Sequence, residues 1–305
     1  MSAVVVVGSA NVDFIIQVDR VPRLGETILG RDFLVSLGGK GANQAVAARR
    51  TGAEVTFVGK VGRDQHGAHI RKNLEGAGID VTGLIEDASC HTGVAFILVD
   101  PAGGNQIVVA SGCNYHLTPE ELESRDDLLA GVILLLQLET PLDTILCALQ
   151  RVKQKGMRTI LNPAPATALP LEYFSLIDFL TPNEAEASDL TGVSVTGLGA
   201  AEEAGVRLRD MGCGDVIITL GAQGSLWLGK DGAQHFPGFS VRTVDSTAAG
   251  DAFNGALAVA LSEGKAMEDA IPFANAAGAL ATTHRGAQES LPDRFAIDTL
   301  LSSGR

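Results

Sequence analysis

The sequence predicts an α/β fold, a doubly wound and mostly parallel sheet carrying a small β-sheet lid. Three observations lead there. From Thr118 onward, short apolar runs alternate with longer amphipathic segments, the rhythm of right-handed βαβ units covered on both faces. The run Ala3–Val7 is largely β-branched and stops at Gly8, as a strand buried on both sides does. Two separated early segments, about 11–37 and 93–111, read as short strands and turns without intervening helices. The lid is therefore discontinuous, and the 305 residues are expected to form a single domain.

Taken in order, Ala3–Val7 is followed by a short strand at 14–18, and Pro22, Gly25 and Gly30 break the next stretch. Leu37-Gly38-Gly39-Lys40-Gly41-Ala42-Asn43 leads into an Ala-rich helix at 44–50, closed by Gly52. A strand at 55–58 and a helix at 64–76 come next. Apolar runs at 94–99 and 106–110 flank Pro101-Ala102-Gly103-Gly104-Asn105, a hairpin signature. The alternating part gives strands at 132–138, 158–161, 179–180 and 216–220, with helices at 142–155, 184–191 and 202–211. Segments 225–228 and 234–236, around Lys230-Asp231-Gly232, make a second hairpin at one sheet edge. Ala-rich helices at 248–263 and 267–284 and a last one at 293–301 complete the chain.

Composition supports a filled core: hydrophobic residues are 46%, charged residues 19%, and mean hydropathy is +0.20. A formal net charge of −13 argues against nucleic acid or an anionic membrane as partner. The longest apolar run, 132–136, is too short to span a bilayer. Cys90, Cys113, Cys147 and Cys213 are far apart and form no C-x-x-C, so free thiols and a cytoplasmic setting are expected.

The stretch Asp245-Ser246-Thr247-Ala248-Ala249-Gly250-Asp251 sets small residues and one carboxylate at the start of a helix. Unpaired N–H groups at a helix start attract anions, and Ala248, Ala249 and Gly250 let a phosphate approach them. A carboxylate inside such a turn needs a task of its own, so Asp251 is the candidate general base. Helix capping explains the same residues without chemistry. Asn11 and Asp13 follow the first buried strand, Glu139 follows strand 132–138, and Lys40 and Asn43 open a helix. Ligands of open α/β sheets bind at such strand ends, and these side chains suit a polyhydroxylated ligand. Asn183 and Glu186 share a helix face and suit a Mg²⁺-bound water shell, although a capping box fits them equally. His66 and His69 read as surface residues. No G-x-x-x-x-G-K-[ST] and no G-x-G-x-x-G between strand and helix occurs.

With these pieces in order, the chain resembles the ribokinase-like (phosphofructokinase-B type) carbohydrate kinases over essentially its whole length. The resemblance rests on Gly8-Ser9-Ala10-Asn11-Val12-Asp13, Gly38-Gly39-Lys40-Gly41-Ala42-Asn43-Gln44, Asn162-Pro163-Ala164-Pro165-Ala166, Asn183-Glu184-Ala185-Glu186, and Asp245 to Asp251 with Phe253-Asn254-Gly255. It implies ATP-dependent phosphorylation of a sugar hydroxyl, with D-ribose at O5 as the sugar these motifs favour. Asn11, Asp13, Gly39, Lys40, Asn43 and Glu139 would hold the sugar, and Asp251 would take its proton beside an anion hole at Ala248, Ala249 and Gly250. Asn183, Thr219, Gly221, Gly224 and Asn275 would lie along the nucleotide, with Glu186 near Mg²⁺. Asp245, Thr247, Ala281, His284, Gly286 and Ser290 would surround K⁺, and the lid would build a homodimer. Where the family's common pattern has Gly, this chain has Ala248, which is tolerable if its φ is negative. The alternatives implied are a related kinase acting on another sugar or a nucleoside, and a non-catalytic sugar sensor.

Overall fold

Strand β1 (Ala3–Val7) lies inside the main sheet, and its side chains point alternately into two cores. The structure, a computed structural model, describes residues 3–101 and 104–303. The remaining strands are β2 (Asn11–Gln17), β3 (Phe33–Gly38), β4 (Glu54–Gly62), β5 (Asp80–Asp87), β6 (Gly93–Val99), β7 (Asn105–Ala110), β8 (Ile133–Leu136), β9 (Arg158–Leu161), β10 (Phe179–Leu180), β11 (Asp215–Thr219), β12 (Ser225–Gly229) and β13 (Gly232–Phe236). The helices are α1 (Lys40–Arg50), α2 (Gln65–Gly76), α3 (Pro119–Glu123), α4 (Leu142–Gln154), α5 (Leu171–Phe174), α6 (Glu184–Thr191), α7 (Leu198–Asp210), α8 (Ala249–Ser262), α9 (Met267–Ala281) and α10 (Arg294–Ser303).

Val4 and Val6, with Ile133 and Leu135 of β8, face a core built from α1, α8 and α9. Val5 and Val7, with Leu134 and Leu136, face the opposite core beside α4 and α7. All eight are essentially inaccessible, and each such burial contributes roughly 1.5–3 kcal/mol. The nine-stranded sheet runs β13-β12-β11-β10-β9-β8-β1-β4-β5, with every pairing parallel except β11–β12 and β12–β13 at one edge. Chain direction across the sheet therefore switches between β1 and β8, which opens a crevice at the C-terminal ends of those strands.

The lid is a separate four-stranded sheet in the order β3-β2-β6-β7. Strand β2 pairs antiparallel with β3 and parallel with β6. On one lid face Phe14 stacks on Phe33 and Phe96, and the ring of His66 meets it edge-on at 5.6 Å. His66 is thus a half-buried lid support, a correction to its reading as a surface residue, while His69 is exposed.

Other expectations shift. Strands β3 and β5 were not foreseen, and β2 begins at Asn11, so Asn11 and Asp13 sit on a lid strand instead of in a loop. Helix α1 starts at Lys40, bringing Asn43 into its first turn and Gln44 directly after it. The first hairpin forms as expected, although Ala102 and Gly103 of its turn lie outside the described residues. Cys90 and Cys113 are joined as a disulfide, Cα–Cα 5.4 Å, in place of the expected free thiols. The pair is far apart in spacing, but the backbone brings it together: the amide of Cys113 donates to the carbonyl of His91, next to Cys90. Cys147 and Cys213 are free. Among the described residues no helix is long and apolar enough to cross a membrane.

Candidate active site

The site is set by how closely α1 and α8 approach. A Cβ added at Gly255 would come within 2.5 Å of the Ala47 methyl and 2.8 Å of the Ala48 amide, so the small residues of both helices are what allow the contact. Both first turns then meet at the crevice. Gly39 has φ 88 and lies against Ala10 and Asn11, where a Cβ would sit 2.7 Å from backbone atoms. That position accepts only glycine, and it seats the start of α1 directly against the β1–β2 connection.

Asp251, 6% exposed, receives two amide donors from α1: Asn43 Nδ2 to Oδ2 at 2.9 Å and Gln44 Nε2 to Oδ1 at 3.0 Å. Burial pushes its carboxyl above the usual range, Lys40 and the two amides pull it back, and Glu139 adds to the rise. Asn43 Oδ1 is buried without a partner among the described residues, an open acceptor beside Asp251. Glu139 accepts from the Ser9 hydroxyl and from the Lys40 amide at 3.1 Å. Burial disfavours the Lys40 ammonium, but Asp251, Glu139 and Glu186 more than compensate and hold its pKa above the ordinary value.

Asp13 lies across the crevice on β2. Its carboxylate covers Gly38, where any Cβ would collide with it. Burial first, and then the charges of Glu139, Glu289 and Asp251, raise its pKa to about 7. Asn11 is held from behind by Asn114, whose Nδ2 donates to Asn11 Oδ1 at 2.7 Å and whose Oδ1 accepts from the Ala10 amide at 3.0 Å.

A cleft of about 200 Å³ is lined by Lys40, Asn183, Glu186, Thr219, Asp251 and the turn Ala248-Ala249-Gly250. The first-turn N–H groups of α8 supply positive potential there, although the Ala249 amide already reaches the Ser246 carbonyl at 3.3 Å. Ala248 caps α8 with φ 59 and ψ 11, against the negative φ on which its tolerance depended. It is the one positive-φ residue other than glycine among the described residues, at a cost of roughly 1–2 kcal/mol.

Asn183 and Glu186 form the capping box: Asn183 Oδ1 accepts from the Glu186 amide at 2.8 Å and Glu186 Oε2 from the Asn183 amide at 2.9 Å. They also line the cleft, so capping and ligand contact are compatible. Gly221 and Gly224 take positive φ in the turn after β11. Asn275 does not line the cleft; it accepts from Ser225 Oγ and donates to the Phe236 carbonyl, tethering α9 to the sheet edge. Asp245 Oδ1 accepts from Thr247 and Oδ2 from the Gly286 amide, joining the 245–247 turn to the loop after α9. Burial opposes its ionisation, yet these bonds leave its pKa below the ordinary value. Ser290 Oγ bonds the Ala287 carbonyl, Ala281 is buried, and His284 points an exposed ring at Thr283. A larger open cleft of about 410 Å³, between α9 and α10, contains none of these residues.

Gln44, Ser9, Asn114, Asn162 and Asn254 were missed. Each is a polar residue set among mostly apolar or small residues in the sequence, and such a group, once buried, needs a partner. That was the available signal.

A model of carbohydrate kinases, the pfkB family, matches residues 1–294. The chain belongs to that family. Within this kinase family it is 43% identical over 290 residues to a Haemophilus influenzae ribokinase, covering 95% of both chains. It is 37% identical over 302 residues to a Salmonella typhi deoxyribokinase, covering 98% of both. In three dimensions it matches the solved structure of Arabidopsis thaliana ribokinase complexed with ribose and ATP, with TM-score 0.92, 33% identity and 98% of each chain covered.

Proposed function

We propose that the protein is an ATP-dependent ribokinase, moving the γ-phosphoryl group of ATP to O5 of D-ribose. The observation that carries this reading is the carboxylate of Asp251, pinned by two amides at the mouth of α8 between polyol-binding and phosphate-binding groups. The similarity to the Haemophilus influenzae and Arabidopsis thaliana ribokinases supports the choice of sugar.

In this reading Asn11, Asp13, Gly39, Lys40, Asn43 and Glu139 hold the ribose hydroxyls, and the open acceptor of Asn43 takes one of them. Asp251 accepts the O5 proton as O5 attacks phosphorus and ADP leaves. Positioning and charge stabilisation do most of the work in such transfers. Lys40 and the α8 turn at Ala248, Ala249 and Gly250 offset charge on the transferred group. Thr219, Gly221 and Gly224 line the nucleotide path; Asn275 supports it through β12 and β13. Mg²⁺ arriving with ATP would lie on the Asn183–Glu186 side and would neutralise phosphate charge.

The loops holding Asp245, Thr247, Ala281, His284, Gly286 and Ser290 fit a monovalent cation. One carboxylate already ties the two loops, which leaves backbone carbonyls as donors, the ligand type that suits K⁺. Replacing Na⁺ by K⁺ should raise kcat; equal rates in the two salts would remove this part. The exposed Phe33, Leu34, Val35 and Phe96, with the open strand β7, support a homodimer through the lid, which light scattering would test. Acidic charge and this chemistry suit the cytoplasm, while the Cys90–Cys113 disulfide is of a kind more usual in oxidising compartments.

The deciding experiment is ADP release, coupled to a reporter, over ribose, 2-deoxyribose, fructose, nucleosides and sugar acids. Ribose should give the highest kcat/KM. No ribose-dependent ADP would overturn the reading.

A further inference from the structure

Behind Asp251 runs a chain of buried amides that none of the assigned roles uses. Gln137, at the end of β8, donates from Nε2 to Gln44 Oε1 at 2.6 Å. Gln44 Nε2 then divides its two hydrogens between Asp251 Oδ1 at 3.0 Å and Asn162 Oδ1 at 3.1 Å. Asn162 passes its own Nδ2 to the Thr181 carbonyl at 3.1 Å, and the Thr181 hydroxyl donates to Asn254 Oδ1 at 2.6 Å. Asn254 Nδ2 closes the path on the Gly250 carbonyl at 2.8 Å, back in the turn that carries Asp251. Gln44 and Gln137 are 0% and 1% exposed.

We propose that Gln44 is a positioning residue for phosphoryl transfer, its amide locked by Gln137 and Asn162 so that it holds one oxygen of Asp251 and aims the other. This rests on Asp251 acting as the base. The lock has one orientation. With its oxygen taken by Gln137, only the nitrogen of Gln44 can face Asp251; the flipped amide would set oxygen against carboxylate. Asn43 is the other donor; among the described residues its own oxygen has no partner and neither has Gln137 Oε1, so what sets Gln44 apart is that its amide makes three hydrogen bonds where Asn43 makes one. Gln44 therefore supplies the rigid half of the grip, and hydrogen bonds to the ionised form favour that form.

The charged groups facing Asp251 are Lys40 from α1, Glu139 from the loop after β8, Glu186 from α6 and Asp13 from β2. All remain in Gln44→Met, which keeps the side-chain length and removes the donor. With ribose, kcat should fall about 10- to 100-fold, part of the usual weight of a general base, while ribose KM changes less than about threefold. The acid limb of the pH–kcat profile should move to higher pH. Gln137→Met should act in the same direction more weakly, and the double variant should be no worse than Gln44→Met alone. An unmoved limb, or losses that simply add, would overturn the proposal.

A second readout needs no turnover. The difference in unfolding free energy between Asp251→Asn and its parent, followed over pH, traces the titration of Asp251. Its midpoint should be higher in the Gln44→Met background, and the same midpoint in both backgrounds would also overturn the proposal. If the wild type ignores ribose, the ribokinase reading fails while this measurement still judges Gln44. If Gln44→Met does not fold, Gln137→Met carries both measurements.

Discussion

Two carboxylates face each other across the crevice, and their surroundings are opposite. Asp251 is buried at the junction of two helices, with an amide donor on each oxygen. Asp13 stands on the lid strand, and among the described residues no donor reaches its carboxylate. Its neighbours are instead the like charges of Glu139, Glu289 and Asp251. One group is finished by the protein before any ligand arrives; the other is left for a ligand to finish. In the proposed reading Asp251 is a base, which must be held in place before reaction, and Asp13 meets a polyol hydroxyl, which can supply the donors it lacks.

This contrast breaks if the two positions respond alike to removal of charge. Asp251→Asn should lower kcat by roughly 10²–10⁴ with the fold intact, the weight of a general base; circular dichroism with steady-state rates checks it, and near-wild-type turnover would end the assignment. Asp13→Asn should raise ribose KM by about 10–100-fold, since a hydrogen bond to a charged group is worth about 1.5–3 kcal/mol.

The same variant should change stability with a definite sign. Asp13 titrates near 7 in the fold and at its ordinary 3.8 when unfolded. Between those values the native state binds more protons, so its stability falls as pH rises from 4 to 7 and then levels. Asn mimics the protonated acid. Asp13→Asn should therefore raise the ligand-free Tm at pH 8 and leave it unchanged near pH 4, and a lower Tm at pH 8 would show that the like charges do not matter.

The smallest effect concerns the turn itself. Ala248→Gly removes a left-handed strain of roughly 1–2 kcal/mol but loosens the unfolded chain by about 0.4–1 kcal/mol. A net gain of about 0–1.6 kcal/mol in chemical denaturation follows from those two figures. If kcat also drops, the strained cap serves the phosphate site and is not a neutral feature.

Much of the architecture was legible because it rests on local patterns. The buried valines of β1 and the alternation after Thr118 carry their own periodicity. Strand β5 was not legible: Asp80-Val81-Thr82-Gly83-Leu84-Ile85-Glu86-Asp87 is half exposed, interrupted by glycine and charged at both ends. Its pairing with β4 supplies what its sequence lacks. Likewise the motifs named Asp251, Asn43 and Lys40, each beside small residues at a helix start. Gln44 and Gln137 lie 93 positions apart, and no spacing rule relates them. Cys90 and Cys113 teach the same point, since only the fold carries them to bonding distance.

The contact of Gly255 with Ala47 and Ala48 is several residues from any proposed ligand, yet it works as a caliper. It fixes the gap between α1 and α8, and the jaws of that gap are Asn43 and Gln44 on one side and Asp251 on the other. A single methyl group inserted at the handle would spread the jaws, so Gly255 measures the reach of Asp251 from deep within the core.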